Sequence, residues 1–438
     1  MKQVKRISRR QFVRGAAALA AAPYFVPAAA LGREQRAAAS ERITLGMIGV
    51  GNMGSGHVGG FVANNDVQIV AICDVDRVKR DAQARRVEQY YAAERSDKTY
   101  SGCDTYNEYE RLLERGDIDA VCIAVPEHWH ATIAIAACRA GKDVYCEKPL
   151  ALTIREAWQM AAAARRYGTV FQTGSQQRSA SNFRYACELV RNGRIGKLLT
   201  VNVGVAGPSQ PEYFPTEPIR DGFDWERWLG PAPWSPYNAE RCSGNYSGGW
   251  RHVRDYSGGM TTDWGAHHYD IAQWGMGMDG NGPIEIIPPE HIPAIRQTPD
   301  PKKDESLIFK YANGVTMIHG GANGILFTGT EGKVEVNRGY FRTWPDAIGK
   351  ELIGPNDIRL YVSDNHHQNW IDCIRTRRGP VADVAIGASS VTVCHLANIA
   401  FWTGRTIHWD PETRSIIGDD AAARWLDRPK RAPYRLHA

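Results

Sequence analysis

Along the first part of the chain, short apolar runs alternate with stretches of helical period. Ile43 to Val50 is apolar and ends in a glycine turn, a helix is predicted from about Ser55 to Asn64, and Val67 to Cys73 is a second apolar run. A helix over Arg77 to Ala93, a strand over Ala120 to Val125, a helix over Ala131 to Ala140 and a strand over Asp143 to Cys146 continue the series. Strands spaced by helices in this way predict an α/β domain with a doubly wound parallel sheet, of the Rossmann type.

Beyond Thr169-Val170-Phe171 the pattern changes. Long polar and aromatic loops run from Ala206 to Tyr246, and short strands are predicted around Glu285 to Ile287, Leu307 to Tyr311, Val315 to His319 and Lys333 to Val336. This predicts an α+β domain with a mostly antiparallel open sheet, closed by a helix over Ala385 to Thr403. The expected organisation is a leader and linker over 1–41, a Rossmann domain over 42–170 and an α+β domain over 171–438.

Composition changes this picture only at the front. With 438 residues, 43% of them hydrophobic and 23% charged, the chain can fill two cores and is neither disordered nor fibrous. Ser8-Arg9-Arg10-Gln11-Phe12-Val13-Arg14 precedes an Ala-rich run from Gly15 to Ala30 that is interrupted by Pro23 and Pro27. Paired arginines, a weakly apolar run and the small residues Ala28-Ala29-Ala30 predict a cleavable twin-arginine export signal, hence a periplasmic or secreted protein. The run is too short and too small in side chain for a membrane span. With no acid among them, the six basic residues before Ala30, Lys2, Lys5, Arg6, Arg9, Arg10 and Arg14, more than account for the formal charge of +5. The basic pI is therefore no argument for a nucleic-acid partner. The nine cysteines are odd in number and lack a C-x-x-C pair, which points to packing rather than to disulfides or zinc.

Gly49-Val50-Gly51-Asn52-Met53-Gly54 lies where an apolar strand turns into a helix, and Asp74 ends the next strand twenty residues after Gly54. The glycines allow a tight turn and close approach to a pyrophosphate, the helix N-terminus faces its charge, and the acid accepts from a ribose diol. A carboxylate at Asp74 would repel a 2′-phosphate, so NAD is expected over NADP, although Arg77 and Lys79 follow closely.

Two further segments follow strands: Val125-Pro126-Glu127-His128-Trp129-His130 and Cys146-Glu147-Lys148-Pro149-Leu150. Together with the nucleotide motif and Gly258-Gly259-Met260-Thr261-Thr262-Asp263-Trp264-Gly265-Ala266-His267-His268-Tyr269-Asp270, they make residues 42 to 410 resemble the Gfo/Idh/MocA family of oxidoreductases. The resemblance implies that Lys148 lies beside the nicotinamide and the reacting carbinol, that Glu147, Pro126 and His130 contact the cofactor, and that Asp263 and His267 belong to the catalytic set. It implies a homo-oligomer paired through the second sheet. Glu127 stands where the family usually has Asn, which puts that cofactor contact in question.

The residue chemistry agrees. Removing hydride from a secondary alcohol needs a base, for which histidine suits, and an ammonium to hold the developing alkoxide. On a helix Asp263, His267 and Asp270 fall at i, i+4 and i+7, so one acid is expected to orient the imidazole. Arg178, Trp250, Arg251, His267 and His268, with the aromatic residues of 213–256, are expected to bind a carbohydrate. The same residue types also have packing uses: Asp263 as a helix cap, His130 and His268 as satisfied core histidines, Lys148 as a salt-bridging residue. Asp263, His267 and His268 are not matched by a second ligand pair, so no metal is expected. The expected activity is NAD-linked oxidation of a sugar, glycoside or cyclitol. Its main competitor is a glycosidase that oxidises its substrate transiently, and a weaker one is a cofactor-binding protein without catalysis.

Overall fold

The computed structural model describes residues 38–95, 98–244, 248–291 and 305–436. The export signal expected before Ala30 lies outside them. From Ile43 onward the described residues form one compact unit built around two sheets.

The first sheet consists of β1 (Ile43–Ile48), β2 (Val67–Cys73), β3 (Asp104–Tyr106), β4 (Ala120–Ile123), β5 (Asp143–Cys146) and β6 (Phe171–Thr173). All pairs are parallel, in the order β3-β2-β1-β4-β5-β6. Helices α1 (Asn52–Val62), α2 (Arg77–Ala93), α3 (Glu127–Arg139) and α4 (Ile154–Tyr167) connect them. Strands covered on both faces are apolar throughout, as in the fully buried Ala120–Ile123. Asp76 caps α2 by accepting from the Val78 and Lys79 amides, and Gly168 ends α4 in the left-handed conformation at φ +66°. The helices after the first and fourth strands begin three and four residues earlier than their periodicity predicts, at Asn52 and Glu127. The first turn of α1 lines the cleft and that of α3 carries the buried polar residues Glu127, His128 and His130, so neither shows an apolar period.

The second sheet is mixed and nine-stranded, in the order β13-β12-β11-β7-β10-β9-β8-β14-β15. Its members are β7 (Leu198–Gly204), β8 (Glu285–Ile287), β9 (Leu307–Lys310), β10 (Thr316–His319), β11 (Gly324–Gly329), β12 (Lys333–Asn337), β13 (Tyr340–Trp344), β14 (Ile407–Asp410) and β15 (Ser415–Ile416). One interior pair, β7 with β10, is parallel and the other named pairings are antiparallel. One face packs on α5 (Ser181–Arg191), α7 (Gly265–Met276) and α9 (Val384–Thr403), and α7 follows directly on the single turn α6 (Met260–Asp263). A further helix, α8 (His366–Thr376), returns to the first sheet, where Trp370 and Ile371 join the core beside Phe61 and Tyr145.

Helix α9 ties the sheets together. Val384, Ala388 and Val391 enter the core of the first sheet, while Val393, Leu396, Ala397 and Phe401 enter that of the second. A helix serving two cores is apolar all round. Among the described residues it alone is long and apolar enough to cross a membrane, but it is a core helix, with 89% of its apolar window buried inside the protein. All nine cysteines are free thiols, eight of them buried.

Two buried polar ties cross the molecule. Arg178, expected at the substrate, is instead enclosed: its guanidinium donates to Asp270 at 2.7 Å and to Asp279 at 2.7 and 3.0 Å and lies over Trp274. Arg178 and Asp270 are 1% and 0% exposed, so this ion pair joins the turn after β6 to α7 rather than meeting a ligand. Glu127, at the start of α3, accepts from Ser257 Oγ at 2.5 Å, the Gly258 amide at 3.2 Å and Thr262 Oγ1 at 3.4 Å. Burial pushes its carboxyl up to about 8, against the lowering effect of those donors.

Removing one partner of a buried pair leaves an uncompensated charge, so Asp270→Ala is expected to cost about 3–5 kcal/mol in chemical denaturation. A loss below about 1 kcal/mol would show that Asp279 alone satisfies Arg178. Because the folded-state pKa of Glu127 is raised, the folded protein binds more protons than the unfolded chain between the ordinary carboxyl range and about pH 8. Its stabilising contribution is complete at acid pH and falls by about 1.4 kcal/mol per pH unit across that window. Glu127→Gln should flatten the decline of stability from pH 5 to 8, measured by denaturation at each pH; an unchanged slope would refute the assignment.

Candidate active site

The glycine turn at the end of β1 meets each requirement of its motif. Gly49 holds φ +83°, and a Cβ there would lie 2.7 Å from the Ala124 carbonyl oxygen. A Cβ at Gly54 would lie 2.1 Å from the Gly49 oxygen, so this glycine lets α1 pack on the turn. Gly51 has open space where its side chain would be and lines the cleft with Asn52 and Met53. Asp74 accepts from the Val50 amide through Oδ2 and from the Asp76 amide through Oδ1, both at 2.8 Å. Each of its oxygens keeps a lone pair, and burial pushes the carboxyl up. The cleft is open to solvent and runs from Asp74 past Pro126 to Glu147, Lys148 and Asp263. The open glycine, the α1 N-terminus and the acid at the end of β2 suit an NAD dinucleotide.

Lys148 follows β5, on the far side of β1 and β4 from Asp74. Its Nζ donates to Asp263 Oδ1 and to the Asp263 carbonyl, both at 2.9 Å, with the two side chains 9% and 4% exposed. Burial alone would raise the Asp263 carboxyl, but the charges of Lys148 and Arg251, the latter at 3.5 Å, outweigh it and hold the group ionised. Arg251 lies over Trp250, and both line the cleft.

Glu147 points inward. Its Oε1 accepts from His57 Nε2 and Gln176 Nε2, both at 2.8 Å, and Oε2 accepts from the Lys148 amide at 3.1 Å. Burial pushes this carboxyl up, but His57 and Lys148 more than offset it and hold the pKa at about 2. His57 Nδ1 continues to His367 Nε2 at 2.9 Å, so a chain of imidazoles leads away from the cleft through α1 to α8.

Other expected residues lie elsewhere. The expected stripe of Asp263, His267 and Asp270 divides among three tasks: Asp263 serves Lys148, Asp270 serves Arg178, and His267 Nδ1 has no hydrogen-bond partner. Asp263 therefore does not orient the imidazole. His267 is buried, and burial, then the charges of Lys148 and Arg338, hold its pKa well below the usual range, so the ring is neutral. His268 is also buried, with Nδ1 facing the Gly204 carbonyl at 3.3 Å, and is a core residue rather than a substrate ligand. His130 is enclosed between the Pro149 and Val125 carbonyls, both at 2.8 Å, so it braces the two loops that carry Lys148 and Pro126 instead of touching a cofactor. Much of the aromatic loop is likewise structural: Trp225 stacks on Trp228 at 5.0 Å, within a small core shared with Phe223, Tyr237 and Tyr256.

That loop also supplies cleft residues which the sequence reading missed. Between Arg220 and Gly244 it crosses the cleft and is fastened on both sides. Arg77 N donates to Gly222 O at 2.9 Å, Asp224 N to Val75 O at 3.0 Å, and Asn107 Nδ2 to Asp224 Oδ2 at 2.8 Å. On the other side Asn52 Nδ2 donates to the Gly244 carbonyl at 2.9 Å. Arg220, Arg227 and Trp228 thereby line the cleft with Lys79. No local periodicity marks them; only the bracketing of the loop by the βα turns brings them in. Among the described residues, no group of three or more His, Cys, Asp or Glu side chains is placed to hold a metal.

Comparisons with known proteins agree with this geometry. Residues 43–175 match the description "Oxidoreductase family, NAD-binding Rossmann fold", and residues 188–436 match "Oxidoreductase family, C-terminal alpha/beta domain". A glycosyl hydrolase family 109 protein of Stenotrophomonas maltophilia is 30% identical over 235 residues, which is 52% of this chain and 49% of that protein. An alpha-N-acetylgalactosaminidase of Shewanella oneidensis is 37% identical over 166 residues, covering 36% of this chain and 34% of the enzyme. The chain thus spans about half or less of the length of these curated relatives. The WlbA dehydrogenase of Bordetella pertussis, solved with NADH and UDP-GlcNAcA, superposes with a TM-score of 0.60 at 16% identity over 84% of this chain and 99% of that one, a likeness of fold. Two matched domains, a glycine turn with its acid, and a lysine paired across the cleft lead to one conclusion: the chain belongs to the Gfo/Idh/MocA oxidoreductase family, with an NAD-binding Rossmann domain.

Proposed function

We propose that the protein uses NAD to oxidise a secondary carbinol of a sugar, glycoside or cyclitol. The observation that carries this reading is the Lys148–Asp263 pair, which lines the same cleft as the glycine turn. When bound, the nicotinamide supplies the acceptor and donor of hydride. Asp263 fixes the ammonium, and Lys148 donates a hydrogen bond to the carbinol oxygen and stabilises negative charge there. His267, neutral and sensitive to the Lys148 charge, is the reserve for the hydroxyl proton. Arg251 and Trp250 bind neighbouring hydroxyls and a ring face.

A second reading is favoured by the names of the curated relatives, a glycosyl hydrolase family 109 protein and an alpha-N-acetylgalactosaminidase. Oxidation at one ring carbon acidifies the adjacent C–H, the aglycone is expelled, and addition of water and return of hydride complete a net hydrolysis. Both readings share the first step and the same residues.

Export by the twin-arginine route fits this reading, because that route carries folded proteins with cofactor in place. The protein also pairs with copies of itself through the outer face of the second sheet, a reading supported by the half-buried Ile308, Ile318 and Leu326 on the face opposite the core.

Mass spectrometry of the denatured, purified protein should find close to one NAD per chain; protein that lacks dinucleotide and binds it only at millimolar concentration would overturn the reading. Incubated with a glycoside panel, the holoprotein should yield an oxidised sugar under the first reading, or free sugar with no net change in NAD under the second. Lys148→Ala and His267→Ala should each lower turnover about 10²-fold or more while cofactor content is kept. Near-normal turnover in His267→Ala would remove the histidine from the mechanism and shift the proton to the Asp263 carboxylate.

A further inference from the structure

The Asp74 end of the cleft carries more charge than an NAD site needs. Asp74, Asp76, Lys79 and Arg220 all line it. Arg220 comes from the crossing loop, outside the Rossmann sheet. Its guanidinium grips Asp76, with Nη2 on Oδ2 at 2.5 Å and Nη1 on Oδ1 at 3.3 Å, and lies 4.3 Å above the Phe223 ring. Lys79 Nζ lies 3.4 Å from the same Oδ2. Asp76 is buried, while about half of Lys79 and a smaller part of Arg220 remain exposed. One buried carboxylate thus holds two cations at the place where a dinucleotide fold meets the adenosine ribose.

Without Asp76, this end would present a planar, stacked guanidinium and an ammonium, the usual receptors for a phosphate. With Asp76 both are already paired, and its own negative charge adds to that of Asp74. Asp76 also has a second task, because Oδ1 accepts from the Val78 and Lys79 amides at 3.2 and 3.4 Å as the cap of α2.

We propose that Asp76, by holding Arg220 and Lys79 in ion pairs, acts with Asp74 to make this cleft reject a 2′-phosphate and select NAD over NADP. The inference rests on the dinucleotide reading of the cleft and deepens it. Asp74 alone addresses the ribose hydroxyls; Asp76 decides whether the cations beside them are available. Asparagine separates its two tasks. Asn is as good a helix cap as Asp, so its Oδ1 keeps the α2 amides. Its NH2 group would face the Arg220 guanidinium donor to donor and release it, with Phe223 still beneath the ring plane.

The test is competition on the full-length protein. Wild type, Asp76→Asn, and Asp76→Asn with Arg220→Met are equilibrated with equal concentrations of NAD and NADP, gel-filtered, and the retained dinucleotides are quantified by mass spectrometry. Wild type should retain NAD, and Asp76→Asn should raise the ratio of retained NADP to NAD by about tenfold or more, equivalent to about 1.4 kcal/mol. The double variant should return towards the wild-type ratio. An unchanged ratio in a folded Asp76→Asn protein overturns the proposal, and so does a gain that survives loss of Arg220. If Asp76→Asn does not fold, Asp76→Ser, which keeps a capping hydroxyl, takes its place with the same expectations. A wild-type protein that retains neither dinucleotide would overturn the cofactor reading itself, a result distinct from NAD retention with an unaltered ratio.

Discussion

An ammonium and a carboxylate withdrawn from water together, Lys148 and Asp263, set the terms for the rest of the structure. Lys148 without Asp263 would lose its carboxylate partner at a cost of several kcal/mol, and Asp263 without Lys148 would keep only Arg251 at 3.5 Å. The loop after β5 and the turn α6 therefore have to arrive at the same point although 115 residues separate them. The surrounding polar ties make that convergence rigid. Glu127 holds Ser257, Gly258 and Thr262 just ahead of Asp263, and His130 braces the carbonyls of Pro149 and Val125 just beyond Lys148 and ahead of Pro126.

Two glutamates beside this pair show how little residue type decides. Glu127 follows β4 and Glu147 follows β5, on neighbouring strands. Both are buried, yet one carboxyl is pushed up to about 8 and the other held at about 2. Burial acts alike on both; the difference is that Glu147 has an imidazole and an ammonium for company, while Glu127 has mainly hydroxyls and an amide, with Asp263 adding a repulsion. One becomes a fixed negative charge behind Lys148, the other a near-neutral strut.

What could be read from the sequence follows from how local each determinant is. Strand β2 and helix α2 stand at the predicted residues, since an apolar run, an Asp cap and a helical period all act within a few residues. The glycine turn and Asp74 were legible because each sits at a fixed offset from a strand end, whereas Lys148 and Asp263 were singled out by the motifs that carry the family resemblance. Strands β7, β11 and β13 were not: Leu198–Gly204 and Gly324–Gly329 carry small or polar residues and terminal glycines, and are held by their neighbours in the sheet. Arg178 and His268 were misplaced for a related reason. Sequence spacing gives the face of a helix that a side chain occupies, but not whether that face meets a cavity or another helix. Arg220 lay beyond reach altogether, because its position comes from a loop with no period, pinned by partners more than a hundred residues away.

The loop from Arg220 to Gly244 has a consequence for kinetics. It is fastened to the turns after β2 and β3 at one side and to the glycine turn at the other, so it is a strap tied down at both ends. An occupant of an open groove leaves at a rate set by its own contacts; an occupant reaching beneath a strap would wait until the strap parts. Exchange would then require a sub-global opening of the protein, with the steep temperature dependence of an unfolding event. Residence in the cleft becomes a property of the protein's local stability, and a substitution that loosens the loop fastenings, without touching the occupant, would shorten it.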